Sequence, residues 1–181
     1  MKYNPHYTFF MLKPSCLKRR CGLLNMYNYS KPIINFIKQN DFEIIAKKEI
    51  NITTTDIMKL YRDDFNSIKK EKPDDAKFMF QEYKKILQAG PSLLILVKYK
   101  NENALEEGYK FKGAHFLPQK CAKNTIRYKF RQKVWDTIKV KKGVLIELPD
   151  DNVCHAPRTE NEFLPIIKKY MKKEWNKITS Q

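Results

Sequence analysis

Two short, mainly apolar runs constrain this chain more than any other feature. Residues 7–12, Tyr-Thr-Phe-Phe-Met-Leu, are aromatic and apolar on both alternations, the pattern of a central strand. The run ends at Lys13-Pro14, where proline removes a ladder donor. The second run, residues 93–97, follows Gly90-Pro91, a pair that stops a helix. Five residues fall far short of the roughly 20 that a membrane span needs, so this run too reads as a buried strand.

The segments around these strands do not alternate regularly. Ser30 caps a helix over 31–39 that tolerates Pro32 in its first turn and carries Ile33, Ile34, Phe36 and Ile37 on one face. Asn40-Asp41 ends it, asparagine being suited to a left-handed cap. Phe42, Ile44 and Ala46 alternate with polar residues and predict a half-buried strand to about Ile52. Thr53 to Thr55 supply caps for a helix with Ile57, Leu60 and Tyr61. Residues 69–75 read as a charged linker, and the helix after it carries Phe78, Met79, Tyr83, Ile86 and Leu87 on one side. Residues 15–29 read as a basic loop, and 100–124 as irregular chain with one short helix near 104–109. A short strand is expected at 144–148. Thr159 and Glu162 have capping-box spacing, and Pro165 should kink or delay the helix that follows. The basic end, 173–181, is expected to fray or lie on the surface. Strands mixed with helices in this order argue for α+β, with an antiparallel sheet carrying helices on one face.

A length of 181 residues favours one domain spanning 1–181. The net charge of +16, from 36 Lys+Arg against 20 Asp+Glu, favours a polyanionic partner: nucleotide phosphates, nucleic acid or an anionic surface. A composition rich in Lys, Asn and Ile is the bland explanation of the same charge. Cys16, Cys21, Cys121 and Cys154 form no CxxC pair and no zinc spacing, so they read as free thiols in a reducing compartment. No basic region followed by an apolar stretch opens the chain, and the cytoplasm is the expected location, with no membrane partner.

One imidazole stands out. His155 leaves the end of a short apolar strand, just before a helix start, and an unperturbed imidazole is available as a neutral nucleophile near neutrality. Lys13 directly after a strand and Arg127 in a polar loop are cations suited to phosphate, arginine by its fork and lysine as a point charge. Phosphoryl transfer needs chiefly positioning and charge stabilisation, so one nucleophile and a few cations suffice. The chain has no GxxxxGK[ST] loop and no protein-kinase catalytic-loop motif.

Residues 7–14 with their Lys-Pro, Thr125-Ile126-Arg127 and Asn152-x-x-His155, in that order, resemble the nucleoside diphosphate kinase family. The likeness spans roughly 7–172. It implies a ferredoxin-like α/β sandwich: a four-stranded antiparallel sheet with helices on one face, plus extra helices and an insertion. It implies that His155 takes the γ-phosphoryl group from a nucleoside triphosphate such as ATP and passes it to a diphosphate by a ping-pong route. Lys13 and Asn152 would contact the sugar hydroxyls and, with Tyr61, the phosphate end. Arg127 would hold the transferring or β-phosphate, Phe78 or Met79 would stack on the base, and Mg2+ would bridge the phosphates, with no metal ligand from the protein. A homo-oligomer is expected from the same resemblance.

The departures from the family pattern fall around the histidine. Ala156-Pro157-Arg158 stands where the family has Gly-Ser-Asp, and Ile166 aligns with the glutamate that orients the histidine. Tyr109 aligns with a second phosphate-binding arginine, for which Lys110 or Lys112 would substitute. His115 or Phe116 takes the place of a loop threonine, and 131–144, with Trp135, reads as an insertion. The alternative is a catalytically impaired relative that binds nucleotide, or nucleic acid through its basic surface; steep salt dependence would be its mark.

Overall fold

The computed structural model describes residues 2–17, 19–21, 25–27, 30–114, 118–130, 139–141, 144–146 and 153–180. In chain order, β1 (Tyr7–Leu12) leads to a short helix α1 (Pro14–Leu17) and a hairpin of β2 (Arg19–Cys21) and β3 (Asn25–Tyr27). Then come α2 (Ser30–Lys38), β4 (Phe42–Ile50), three helices α3 (Thr54–Leu60), α4 (Arg62–Glu71) and α5 (Pro73–Leu87), and β5 (Ser92–Tyr99). Helix α6 (Ala104–Lys112), a 3-10 turn (Pro118–Lys120) and α7 (Ile126–Lys129) precede a second hairpin, β6 (Lys139–Lys141) with β7 (Val144–Ile146). The two-residue strand β8 (Cys154–His155) is followed by α8 (Glu160–Tyr170) and α9 (Lys172–Thr179).

The main sheet has the order β4-β5-β1-β8, every pair antiparallel. Numbered along the chain, its strands stand second, third, first, fourth, the ferredoxin-like arrangement expected above. Both apolar runs are central: β1 and β5 pair over six residues, and Phe9 to Leu12 and Leu94 to Val97 are fully buried. The reason is the pleat, which sends alternate residues of β1 to two separate cores. Tyr7, Phe9 and Met11 pack with residues of α3, α4, α5, α8 and α9, while Phe10 and Leu12 pack with Ile33, Phe36 and Ile37 of α2 and with Ile126. The extra helices thus cover the second face of the sheet.

Several expectations are corrected. Residues 69–75 are helical, because Lys and Glu are good helix formers and Pro73 sits at the first position of α5, where its missing N–H costs nothing. The break falls at Lys72, whose backbone (φ -144°, ψ 78°) leaves the helical region, which a following proline disfavours. The left-handed residue after α2 is Asp41 (φ 64°), while the Asn40 side chain donates to the Phe36 carbonyl at 2.8 Å. Alternation in β4 is interrupted by a bulge between Ile44 and Ala46, so little more than its ends, Phe42 and Ile50, is buried. The basic loop 15–29 holds α1 and the β2–β3 hairpin. The short helix expected at 104–109 runs on to Lys112. Helix α8 runs through Pro165. The basic end is no tail: Trp175 of α9 is fully buried, 5.6 Å from Tyr7 and 5.2 Å from Phe163 between ring centroids. Truncating such a tryptophan costs about 3–5 kcal/mol, which places α9 in the core. The β6–β7 hairpin straddles the C-terminal limit of the expected insertion, whose residues 131–138 lie outside the described residues. Among those described, no helix is long and apolar enough to cross a membrane.

Candidate active site

β8 lies on the outer side of β1, with Met11 opposite His155 and Leu12 opposite Cys154. The Lys13 amide donates to the Val153 carbonyl at 3.0 Å, and the Cys16 thiol donates to the same carbonyl at 3.1 Å. Alternation turns Cys154 into the core with α2 and turns His155 to the opposite face. There its ring lies 4.8 Å from that of Tyr61 and 6.4 Å from that of Phe9, centroid to centroid.

Two cations reach the same place from the other side. Arg127 is buried. Its Nε donates to the Cys154 carbonyl at 3.2 Å and its Nη1 to the Gly113 carbonyl at 3.1 Å, so it ties α7 and the end of α6 to the histidine strand. Thr125 caps α7, accepting from the Tyr128 amide. Gly113 takes φ +107°, and a Cβ there would stand 2.8 Å from the Cys121 sulfur and 3.0 Å from the Arg127 Cβ, so glycine alone fits. Lys112, in the last turn of α6, is also buried, with Nζ 3.7 Å from the centre of the Tyr109 ring.

These residues line one pocket of about 440 Å³. Its walls are Tyr61, Phe78, Met79 and Tyr83 from the α3–α5 helices, and Lys112, Arg127, His155 and Arg158 opposite them. Tyr61 stacks on Tyr83 with centroids 4.2 Å apart. Burial, then the charges of Lys112, Arg127 and Lys13, hold the His155 pKa well below its ordinary value of 6.5. The imidazole is therefore neutral at neutral pH. Among the described residues neither of its ring nitrogens has a hydrogen-bond partner, nor does the Tyr61 hydroxyl. Burial and Arg127 likewise depress Lys112 well below 10.5. Burial pushes Glu162, on the pocket wall, up to about 7.

The structure brings most of the expected residues together. His155, Arg127, Tyr61, Phe78, Met79 and Lys112 all line the pocket. Arg127 stands on a short helix, not in the loop expected. Lys13 is fully buried and outside the lining, near enough for its charge to act on His155. Lys110 does not take part: it is exposed and paired with Glu106 at 2.7 Å and Glu107 at 3.0 Å on the outer face of α6. Asn152, His115 and Phe116 lie outside the described residues. Ile166, aligned with the orienting glutamate, is buried in the core, whereas Glu162, one turn earlier on the same helix, reaches the pocket.

The spacing of Thr159 and Glu162 predicts a capping box. In fact the Thr159 side chain makes no capping bond, and the Glu162 carboxylate accepts from the Arg158 amide at 2.7 Å. Asp64, Tyr83 and Arg158 were missed as lining residues. Spacing offered a signal for two of them: Asp64 lies three residues beyond Tyr61, and Arg158 three beyond His155.

Comparison with known proteins agrees with this geometry. Residues 6–174 match the nucleoside diphosphate kinase family. Similar solved structures include the nucleoside diphosphate kinase of Encephalitozoon cuniculi, at 20% identity and TM-score 0.60 over 92% of this chain and 88% of that one. The enzyme of Borrelia burgdorferi, solved as a transition-state mimic with bound vanadate and ADP, matches at 18% identity and TM-score 0.63 over 90% and 84%. That of Halobacterium salinarum, in complex with CDP, matches at 17% and 0.60 over 92% and 86%. No curated protein matches the sequence. The fold, the order of its segments and the match over nearly the whole length have one meaning: the chain belongs to the nucleoside diphosphate kinase family.

Proposed function

We propose that this chain is a nucleoside diphosphate kinase that works through a phosphohistidine at His155. The observation that carries this reading is the imidazole itself: buried, neutral, without hydrogen-bond partners among the described residues, and facing a pocket with two buried cations. A polar group buried without a partner costs stability, about 1–3 kcal/mol, so a use for it is the natural explanation.

In the first half-reaction a bare imidazole nitrogen forms the N–P bond to the γ-phosphorus. The bond from that phosphorus to the bridging oxygen breaks, and the diphosphate leaves with the electron pair. The ring keeps its single N–H, so no proton need move. The second half-reaction reverses these steps onto another nucleoside diphosphate. Arg127, held by two carbonyls, keeps a guanidinium fixed beside the reacting group, and the negative phosphates offset the burial that depresses Lys112 and favour its charged form beside them. The face of Phe78 or Met79 suits a base of any identity. Asn152 would serve the sugar, with Tyr61 toward the phosphates, while Lys13 acts from behind the pocket wall through its charge. Glu82 places hard carboxylate oxygens on the pocket wall, a chemistry that suits the water shell of an Mg2+ held by the nucleotide's own phosphates. When bound, that ion would neutralise phosphate charge.

The test is to incubate wild-type protein and His155→Ala with γ-labelled ATP and Mg2+, then to chase with a diphosphate. The expected result is acid-labile, alkali-stable label on wild type alone, discharged by the chase. Nucleotide binding without any label would reject the transfer mechanism and leave a binding protein.

A further inference from the structure

Arg158 lies three residues past His155, and its position is built from three sides of the pocket. Its amide is anchored on Glu162. Its guanidinium carbon lies 4.9 Å from the centre of the Tyr109 ring, and its Nη1 lies 3.4 Å from the Asp64 carboxylate. Arg158, Asp64, Tyr109 and Glu162 all line the same pocket as His155. The backbone is therefore fixed, while the charged end is about half exposed, at 51%, as is its partner at 45%.

The strength of that ion pair decides what it can do. A half-exposed pair at 3.4 Å contributes no more than about 1 kcal/mol, and a single carboxylate is its only anionic partner among the described residues. A diphosphate offers several negative charges and oxygens spaced for a bidentate arginine contact, which makes it a stronger partner than Asp64. The Tyr109 face holds the guanidinium plane without using its N–H donors, so those donors stay available. Lys112 and Arg127 differ in kind: they are buried at the inner end, beside His155, and Arg127 spends donors on two backbone carbonyls.

We propose that Arg158 is a phosphate-binding residue of this site, exchanging the Asp64 carboxylate for the phosphates of an incoming nucleoside diphosphate or triphosphate. It is supplied by the loop after the histidine and steadied by the Tyr109 ring. Asp64 acts as its competitor and sets how tightly phosphate binds. This rests on the reading of the pocket as a nucleotide site.

Calorimetric titration of the whole protein with ADP and with adenosine tests it, using wild type, Arg158→Ala, Arg158→Lys and Asp64→Asn. Loss of a charged hydrogen-bonding partner predicts ADP binding weakened about tenfold to a hundredfold in Arg158→Ala, with adenosine binding unchanged. Arg158→Lys should recover part of the loss, and Asp64→Asn should tighten ADP severalfold. In steady-state assays Arg158→Ala should raise KM for the diphosphate more than it lowers kcat. Wild-type ADP affinity in a folded Arg158→Ala, or an equal loss for ADP and adenosine, overturns the proposal and leaves the nucleotide reading standing. So does weaker ADP binding in Asp64→Asn, a variant of a half-exposed residue that keeps its shape. Failure of the wild type to bind ADP removes the nucleotide reading and this proposal with it.

Discussion

Asp56 and His155 are both buried polar side chains, at 1% and 5% exposure, and they are treated in opposite ways. Asp56 is fully satisfied. Its carboxylate accepts from Lys169 Nζ at 2.7 Å, the Tyr170 hydroxyl at 2.6 Å, and the Thr53 hydroxyl and amide at 2.6 and 2.9 Å. Burial pushes its pKa up, but Lys169, Thr53 and Tyr170 together outweigh this and hold it below the ordinary 3.8. The network fastens the start of α3 to the last turn of α8. His155 sits at the open end of the same layer with cations as its charged neighbours and with bare nitrogens. One buried group is spent on stability; the other is left bare at some expense in stability, as the proposed reaction requires.

Removing each group should therefore give opposite results. His155→Ala should abolish phosphoenzyme formation while leaving the melting temperature unchanged or higher; a variant that still accepts label would break the contrast at its centre. Arg127→Ala is the intermediate case, because the guanidinium ties two carbonyls and, in the proposed reaction, also faces the phosphates. Turnover should fall by about two to three orders of magnitude, as when a transition-state donor is lost. Stability should also drop, since the Cys154 and Gly113 carbonyls lose their donor. Loss of stability alone, with turnover intact per folded molecule, would move Arg127 to the side of Asp56.

Asp56→Ala should cost roughly 2–3 kcal/mol in denaturant unfolding, the scale of hydrogen bonds to a charged group, and leave label formation untouched. The depressed carboxyl contributes stability that is present above pH 3.8 and lost as the pH falls through its folded pKa. The wild-type advantage over this variant should accordingly shrink in acid.

Glu162→Gln gives the smallest effect, and its sign is the reverse. A carboxyl raised from 4.5 to about 7 contributes stability below pH 4.5 that is lost as the pH rises through 7. Glutamine keeps an acceptor for the Arg158 amide, so the variant should gain on wild type above neutrality, by about 1 kcal/mol once solvent screening is allowed for. His155, depressed below 6.5, has the other slope: its contribution is present above pH 6.5 and lost as the pH falls below it. Melting curves across this range, compared with those of Glu162→Gln and His155→Ala, separate the two groups.

Much of the site could be read along the chain because its parts are marked by local chemistry. Lys13-Pro14 ends a strand, and His155 ends an apolar strand before a helix. Each is a pattern within a few residues. What could not be read is which neighbours face each other. Lys110 and Lys112 differ by two positions, close to half a helical turn, so one points at solvent and Glu106 while the other enters the pocket. Glu162 looked like half of a capping box, and only the path of the 156–159 turn moved its carboxylate to the Arg158 amide and the pocket wall.

The sequence by itself determined the antiparallel sheet and its central strands and marked the histidine and the arginine that meet in the pocket, because periodicity, proline and capping act over short distances. Tertiary structure alone decided that α9 belongs to the core and that Arg158 meets Asp64, 94 residues earlier in the chain. It also decided that His155 is kept neutral by burial and three cations. Those outcomes depend on desolvation and on charges brought together from distant segments, and neither quantity exists until the chain has closed around them.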